Sequence, residues 1–385
     1  MKSAVRQATE ISLSPVELLI FQGTPFCNID CTYCYLPDRA NRSRISLETI
    51  GTTCKLLVQD GLVANNPEVL WHAGEPLTLP VDFYERAFAT IETELHASAV
   101  THKLQTNATL LNDRWIDLFK TWHVSVGVSL DGPPHIHDRY RVTRSHGPTS
   151  ARVLAGISRL KQAGLELSVI CVLTRESIGN PEELFAFFES IGVDSIGFNI
   201  DEAEGPHLHS SHGDGDPMPV FRQFLRRYFD LVVSGNSKQN VRELTRGLRN
   251  VFQKTINCSD ETVPIRVLTV GHSGDFGTFS PELFGLHHAE FGQLIFGNVS
   301  DSRAFRNLPG DPRFLQVLQS IRRGIDACAR TCKYYETCKG GLPSNKLGEH
   351  GTFEATETMA CKFKCQAVTD AAVDLLLSGE LHASG

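Results

Sequence analysis

Cys27, Cys31 and Cys34 form a C-x3-C-x2-C run directly after an apolar segment at 16–21, and three thiolates on one loop define a particular chemistry. They can hold three irons of a four-iron four-sulfur cluster and leave the fourth iron open to an outside ligand. A structural zinc ion is the other occupant to weigh, but closed tetrahedral zinc takes four ligands, and no fourth Cys or His stands nearby in sequence. Six more cysteines, Cys258, Cys328, Cys332, Cys338, Cys361 and Cys365, lie in the last third of the chain. Cys54 and Cys171 stand alone in apolar stretches, where a free cysteine behaves as a small buried hydrophobe. The segment at 16–21 contains Glu17 and is too short for a spanning helix or a signal-peptide core, so a cytoplasmic protein without a membrane partner is expected. In that reducing compartment eleven cysteines, an odd number, point to metal or redox chemistry and away from disulfides.

The elements that must carry these thiols alternate. Short β-rich runs at 16–21, 68–72, 101–106, 123–130, 166–173 and 194–200 are each followed by a longer amphipathic segment. The helical candidates span 47–63, 81–96, 113–120, 150–164, 181–191 and 219–233, several with Ser, Asn or Asp placed as N-caps. Six βα units suffice for a parallel sheet curled into an open (β/α)6 barrel, an α/β architecture whose chemistry collects at the C-terminal ends of the strands. The unusual residues fall there: Cys27 to Cys34 after the first strand, Ala73-Gly74-Glu75-Pro76 after the second, Asn107 after the third, Ser129-Leu130-Asp131-Gly132-Pro133 after the fourth, and Asn199 to Gly205 at the sixth. The stretch at 206–216, with three His and two Asp among Gly, Ser and Pro, reads as a mobile loop at the same rim and a candidate lid, ahead of a cation site. A net charge of −7 without any Lys/Arg block argues against a nucleic-acid partner.

The C-x3-C-x2-C run with Tyr33 before its last cysteine resembles the signature of the radical S-adenosylmethionine (SAM) superfamily, whose fold is the partial (β/α)6 barrel. The resemblance implies that SAM chelates the open iron through its amino and carboxylate groups. Reductive cleavage of its sulfonium then gives methionine and a 5'-deoxyadenosyl radical that abstracts a substrate hydrogen. It further implies that Gly74 and Glu75 meet the SAM ammonium, with Ala73 in place of a family glycine, and that a backbone can approach closely at Gly74. Gln105-Thr106-Asn107 and Ser129 to Pro133 would flank the SAM amino acid and ribose, and Arg141 would face its carboxylate, with Tyr33 and Asn199 completing the cofactor side.

The C-terminal cysteines resemble a SPASM domain, the auxiliary iron-sulfur domain of related maturases. On that pattern Cys328, Cys332, Cys338 and Cys361 supply one complete auxiliary four-iron four-sulfur cluster, with Cys365 able to replace Cys361. A second cluster is half-lost or absent, because Cys258 is present while Phe279 and Leu342 stand where the family has cysteines. The implied division is a barrel at 1–235, a connector at 236–257 and a SPASM-like domain at 258–385.

Thr24-Pro25-Phe26-Cys27-Asn28-Ile29, Trp71-His72-Ala73-Gly74-Glu75-Pro76, Phe279-Ser280-Pro281-Glu282-Leu283 and Pro343-Ser344-Asn345-Lys346 are similar to the cyclophane-forming peptide maturases of the GrrM/OscB type. That likeness implies a ribosomally made precursor peptide as substrate, a bond from an aromatic ring carbon to a Cβ two residues on, and a flavodoxin- or ferredoxin-like electron donor. Rearomatisation needs loss of a proton and an electron, so a base is expected near the substrate, with Glu282 or Asp275 as candidates. No leader-binding domain is expected before Leu18. The rivals are a sulfatase-type maturase making formylglycine, which intact second-cluster cysteines would favour, and an iron-sulfur electron carrier without catalysis, which leaves the rim motifs unexplained.

Overall fold

The computed structural model describes residues 11–202, 207–213, 215–252 and 260–378. Its first half is built of βα units: β1 (Val16–Gln22), α1 (Leu47–Gln59), β2 (Val63–Trp71), α2 (Val81–Leu95), β3 (Thr101–Thr106), α3 (Asp113–Thr121), β4 (Ser125–Ser129), α4 (Pro134–Tyr140), α5 (Ser150–Gln162), β5 (Ser168–Leu173), α6 (Pro181–Ser190), β6 (Ser195–Ile200) and α7 (Met218–Ser234). The helix starts are written in the sequence. Ser46 accepts from the Thr49 amide, Asn112 from the Arg114 and Trp115 amides, and Pro181 opens α6 where a missing N–H costs nothing.

Strands β1 to β6 pair in chain order and all in parallel. Alternation gives the sheet two faces. Phe21, Trp71 and Phe198 meet the helices, with Trp71 packed on Phe83, Tyr84 and Phe88 of α2 and Phe198 on Phe224 and Tyr228 of α7. By the same register Gln105, Gly127, Ser129, Ile170, Val172, Gly197 and Asn199 face the concave side. The inner wall therefore mixes polar side chains with glycines and the apolar Ile170 and Val172.

The segment expected as a connector at 236–257 is described as far as residue 252. Its described part carries β7 (Asn240–Val241), which extends the sheet beside β6, and α8 (Arg242–Phe252). Gly247 of α8 is pressed so closely against the C-terminal helix α14 (Val368–Leu377) that a Cβ would lie 2.7 Å from the Val368 carbonyl oxygen. Residues 240–252 are part of the fold because their partners, β6 and the C-terminal helix, lie on either side of them in sequence.

The expected boundary at 258 does not break the sheet either. The strand β8 (Val267–Gly271) pairs in parallel with β1, β9 (Asp275–Thr278) returns antiparallel, and after a small hairpin of β10 (His287–His288) and β11 (Gly292–Gln293) the edge is closed by β12 (Gly297–Asn298). The remainder is helical: α9 (Ala304–Asn307), α10 (Pro312–Thr331), α11 (Tyr335–Cys338), α12 (Pro343–His350), α13 (Met359–Cys361), a π-helical turn (Lys362–Ala367) and α14 (Val368–Leu377). Asp311 caps α10 by accepting from the Arg313 and Phe314 amides, with Pro312 at its first position. Among the described residues no helix is long and apolar enough to cross a membrane.

Candidate active site and auxiliary thiol cavity

The loop after β1 is fastened to the barrel rim at several points. The Cys27 amide donates to the Arg39 carbonyl (3.1 Å), Asp30 to the Val142 carbonyl (2.8 Å), Thr32 to the Tyr140 carbonyl (2.8 Å), and Glu75 to the Phe26 carbonyl (2.8 Å). Asn107 reaches from the end of β3 to Asn28 Oδ1 (2.9 Å) and to Cys27 Sγ (3.8 Å). Burial pushes the Cys27 thiol up to about 12, with Glu75 adding to the rise, and burial pushes Cys31 up to about 11 against the pull of Arg141. Left alone these groups hold their protons; a cation must displace them for the loop to present thiolates. Four guanidinium groups surround the loop: Arg42 and Arg144 flank the Phe26 ring, Arg144 Nε also holds the Cys27 carbonyl (2.9 Å), and Arg39 pairs with Asp30. Arg141 lies beneath, over the Tyr33 ring. With Arg39 and Arg141 neutralised by Asp30 and Asp131, the charges of Arg42 and Arg144 beside the three thiols suit an anionic iron-sulfur cluster.

Gly74 serves the loop directly. A Cβ there would lie 2.4 Å from the Thr24 carbonyl oxygen and 2.6 Å from that of Phe26. The close backbone approach expected at Gly74 is thus taken by the protein's own cysteine loop. Ala73 beside it has φ 71°, a left-handed conformation that costs an L-residue roughly 1–2 kcal/mol. Glu75 is buried and accepts from the Leu77 amide, the Thr106 hydroxyl and the Asn107 amide; burial nevertheless raises its carboxyl to about 7.

Tyr33 and Arg141, expected toward the cofactor, both turn to Asp131, which is fully buried. Arg141 grips it through Nε (2.9 Å) and Nη2 (3.0 Å), the Tyr33 hydroxyl donates to it, and the Val172 amide adds a fourth donor (3.0 Å). Burial would raise the Asp131 carboxyl, but Arg141, His137 and these hydrogen bonds together hold it below the usual range. Ser129 accepts from Gln105 Nε2 (3.0 Å), and Asn199 Oδ1 accepts from Arg242 Nη2 (3.0 Å). Asp131 lay within a recognised motif, yet nothing in sequence showed that Arg141 would spend two nitrogens on it.

The base candidates separate. Asp275 is occupied inside its own hairpin, accepting from Asn298 Nδ2 (2.8 Å) and Ser273 Oγ (2.7 Å). Glu282 instead faces groups that the sequence did not single out. Glu261 is raised to about 7 by burial and then by Glu282, and Glu202 is raised by burial, Glu349, Glu282 and Asp201 against the pull of Lys364. His72 at the end of β2 is lowered by burial, with Glu282 opposing. The Ser344 amide donates to Ser280 Oγ (3.4 Å) and Asn345 Nδ2 to Glu202 Oε2 (3.5 Å), so the segments 279–283 and 343–346 meet here.

The histidine loop is corrected in part. Pro206 and Asp214 lie outside the described residues, but His207 pairs with Asp201 (2.9 Å), the Ser211 amide donates to Asp201 (2.7 Å) and His212 meets the Leu173 carbonyl (3.1 Å). Residues 207–213 are tied to the ends of β5 and β6 by contacts that only tertiary structure supplies.

In the C-terminal region Cys328, Cys332, Cys338 and Cys361 line one small cavity, with Tyr335, Gly340, Gly341, Lys346, Thr356 and Thr358. Donors point at the sulfurs: Lys346 Nζ to Cys328 (3.4 Å), the Thr358 amide to Cys361 (3.3 Å), and the amides of Gly340 and Gly341 to Cys338. Among the described residues no three Cys, His, Asp or Glu side chains close around a single ion. The four thiols around one cavity and the donors aimed at them are the set that the corners of a cluster need. Cys365 lies outside the lining and touches Cys338, a contact that raises the Cys338 thiol and lowers that of Cys365. Cys258 lies outside the described residues. Phe279 is fully buried, stacked on Phe314 (5.9 Å) and edge-on to Phe296 (6.4 Å), so aromatic rings fill its surroundings.

Residues 21–188 match the model of the radical SAM superfamily. The chain is 35% identical over 383 residues to an uncharacterised protein of Synechocystis, covering 98% of this chain and 96% of that one. It is 23% identical over 363 residues to a serine-type anaerobic sulfatase-maturating enzyme of Bacteroides thetaiotaomicron, over 90% and 87% of the two chains. Among solved structures it resembles anSMEcpe with bound AdoMet (TM-score 0.76, 19% identity, 95% and 99% covered) and Streptococcus suis SuiB bound to its precursor peptide SuiA (TM-score 0.64, 15% identity, 90% and 76% covered). Residues 21–188 thus carry a radical SAM region, and the chain has that superfamily's α/β fold. Its cofactors are SAM and a four-iron four-sulfur cluster, which together supply a carbon radical able to take a hydrogen atom.

Proposed function

We propose that the protein is a peptide maturase that joins an aromatic ring carbon to a Cβ, making cyclophane crosslinks in a ribosomally synthesised precursor. In this reading Cys27, Cys31 and Cys34 hold the radical cluster. Glu75, Asn107, Ser129 and Asn199 line the cofactor side of the rim. Gly74, Tyr33 and Arg141 act on it indirectly, by seating the cysteine loop. Glu282 is the base that takes the ring proton, supported by its place beside His72, Glu202 and Glu261. Cys328, Cys332, Cys338 and Cys361 hold an auxiliary cluster as electron acceptor, and 258–385 forms a unit of chemistry although its first strands belong to the barrel sheet. The electron donor is a flavodoxin- or ferredoxin-like protein, and the setting is cytoplasmic. A peptide substrate is consistent with the likeness to SuiB bound to SuiA.

The observation that carries the choice of reaction is the filled site at Phe279. Phe279, where the resemblance expects a second-cluster cysteine, is stacked among aromatic rings, which supports the reading without that cluster, and the segments 279–283 and 343–346 meet at Ser280 and Ser344. Formylglycine formation remains the second reading because of the sulfatase-maturating relative. Co-expression with a small precursor encoded beside the gene separates the two. A cyclophane and a formylglycine made from Ser each lose two hydrogens, about two daltons, but a crosslink suppresses backbone fragments between the joined residues in tandem mass spectra, whereas an aldehyde leaves them complete and reacts with hydrazides. Complete fragmentation across every aromatic triplet of a modified peptide overturns the cyclophane.

A further inference from the structure

Lys346, on the first turn of α12, is 4% exposed. Its Nζ donates to Cys328 Sγ at 3.4 Å, and among the described residues no carboxylate forms an ion pair with it. A lysine charge removed from water without a counter-charge is costly, by several kcal/mol in order of magnitude. The arrangement therefore makes sense only if the negative charge comes from the cavity. The neighbourhood is shaped to admit the ammonium: Gly324 of α10 faces it, and a Cβ there would lie 3.1 Å from Nζ and 2.0 Å from the Phe353 carbonyl oxygen.

We propose that Lys346 is a positioning and tuning residue for the auxiliary cluster, its buried positive charge and N–H···S bond raising the cluster's reduction potential so that it accepts an electron from the cyclised substrate. This rests on the proposed reading of the four-thiol cavity. The step balances as follows. Hydrogen-atom removal gives a Cβ radical, which attacks the ring and forms the C–C bond. The resulting ring radical loses its proton to a base and one electron to the auxiliary cluster, which is reduced by one unit. A cluster with four thiolates gains a negative charge in that reduction, and a fixed cation at one of its sulfurs favours the reduced form. Replacement of the cation by an isosteric apolar chain therefore disfavours reduction.

The test uses the full-length chain with Cys27, Cys31 and Cys34 changed to Ala, so that only the auxiliary cluster reports. In this background Lys346→Met, Lys346→Gln and Lys346→Arg are reconstituted, their iron is counted, and the midpoint potential is read by EPR-monitored redox titration. The expected result is about four irons in each and, for Met, a reduced-to-oxidised ratio at fixed potential about tenfold lower, which is about 59 mV for a one-electron couple. Arg should stay near the parent. If Met loses its iron, Gln, which retains an N–H donor without the charge, carries the comparison. An unchanged potential with iron retained overturns the tuning role while leaving the auxiliary cluster intact. Loss of iron in all three variants overturns it too, assigning Lys346 to cage assembly alone. Absence of iron from the parent overturns both this proposal and the reading it rests on.

Discussion

Asp131 shows how much one buried side chain can organise. It receives four donors from three separate elements, and with it the cysteine loop, the end of β4 and β5 are fixed to one another. Breaking a buried pair by removing one charge typically costs about 3–5 kcal/mol. Asp131→Asn is therefore expected to lower the melting temperature and to lose iron from the cysteine loop while the C-terminal iron is retained, as read by iron analysis and Mössbauer spectroscopy. His102 makes a separate prediction. It is buried against Phe88 (4.3 Å) and Trp122 (6.4 Å), and burial lowers it to about 4. Its folded pKa lies below the unfolded value of about 6.5, so the unfolded chain binds the extra proton and stability falls as pH drops from about 6.5 toward 4. His102→Phe should remove about 2 kcal/mol of the loss between pH 7 and 5, measured by denaturant unfolding at both values. An unchanged pH slope would mean that His102 takes up its proton without unfolding.

At the scale of elements, the junction between β2 and the cysteine loop is held by backbone contact. Gly74→Ala drives a methyl into two carbonyl oxygens and should displace the loop, lowering SAM cleavage and iron together. Ala73→Gly relieves the left-handed strain and is expected to stabilise by about 1 kcal/mol without loss of cleavage. Anaerobic assays for 5'-deoxyadenosine with dithionite, beside thermal melts, check both. The contrast also marks what the sequence could carry. The six barrel strands lie within a few residues of where alternation and N-cap signals put them, because those signals are local. The Asp311-Pro312 start of α10 is equally local, an N-cap followed by proline at the first helical position. By contrast β7, α8 and the pairing of β8 with β1 depend on partners more than forty residues away, and no periodicity reveals them. The same holds inside the site: the cysteine sets were visible from spacing, whereas Glu202, Glu261 and His72 acquire significance only through the fold that gathers them around Glu282.

For the whole molecule the question is how many redox centres one chain holds. The barrel places three thiols on one loop, and the C-terminal helices place four around a second cavity. At the third place expected of the fuller architecture Phe279 is packed among Phe296 and Phe314. Introducing a four-iron cluster there would require expelling a fully buried ring, and truncating such a ring typically costs about 3–5 kcal/mol. Two clusters, about eight irons per chain, are therefore expected on anaerobic reconstitution. The division between them is testable in the same preparation. Changing Cys27, Cys31 and Cys34 together to Ala should halve the iron and abolish 5'-deoxyadenosine formation, while changing Cys328, Cys332, Cys338 and Cys361 should halve the iron and leave SAM cleavage measurable, because the thiols that serve cleavage are in the barrel. Persistent cleavage in the first variant would remove the radical cluster from the β1 loop, and about twelve irons in the parent would show that the aromatic packing at Phe279 yields to a third cluster.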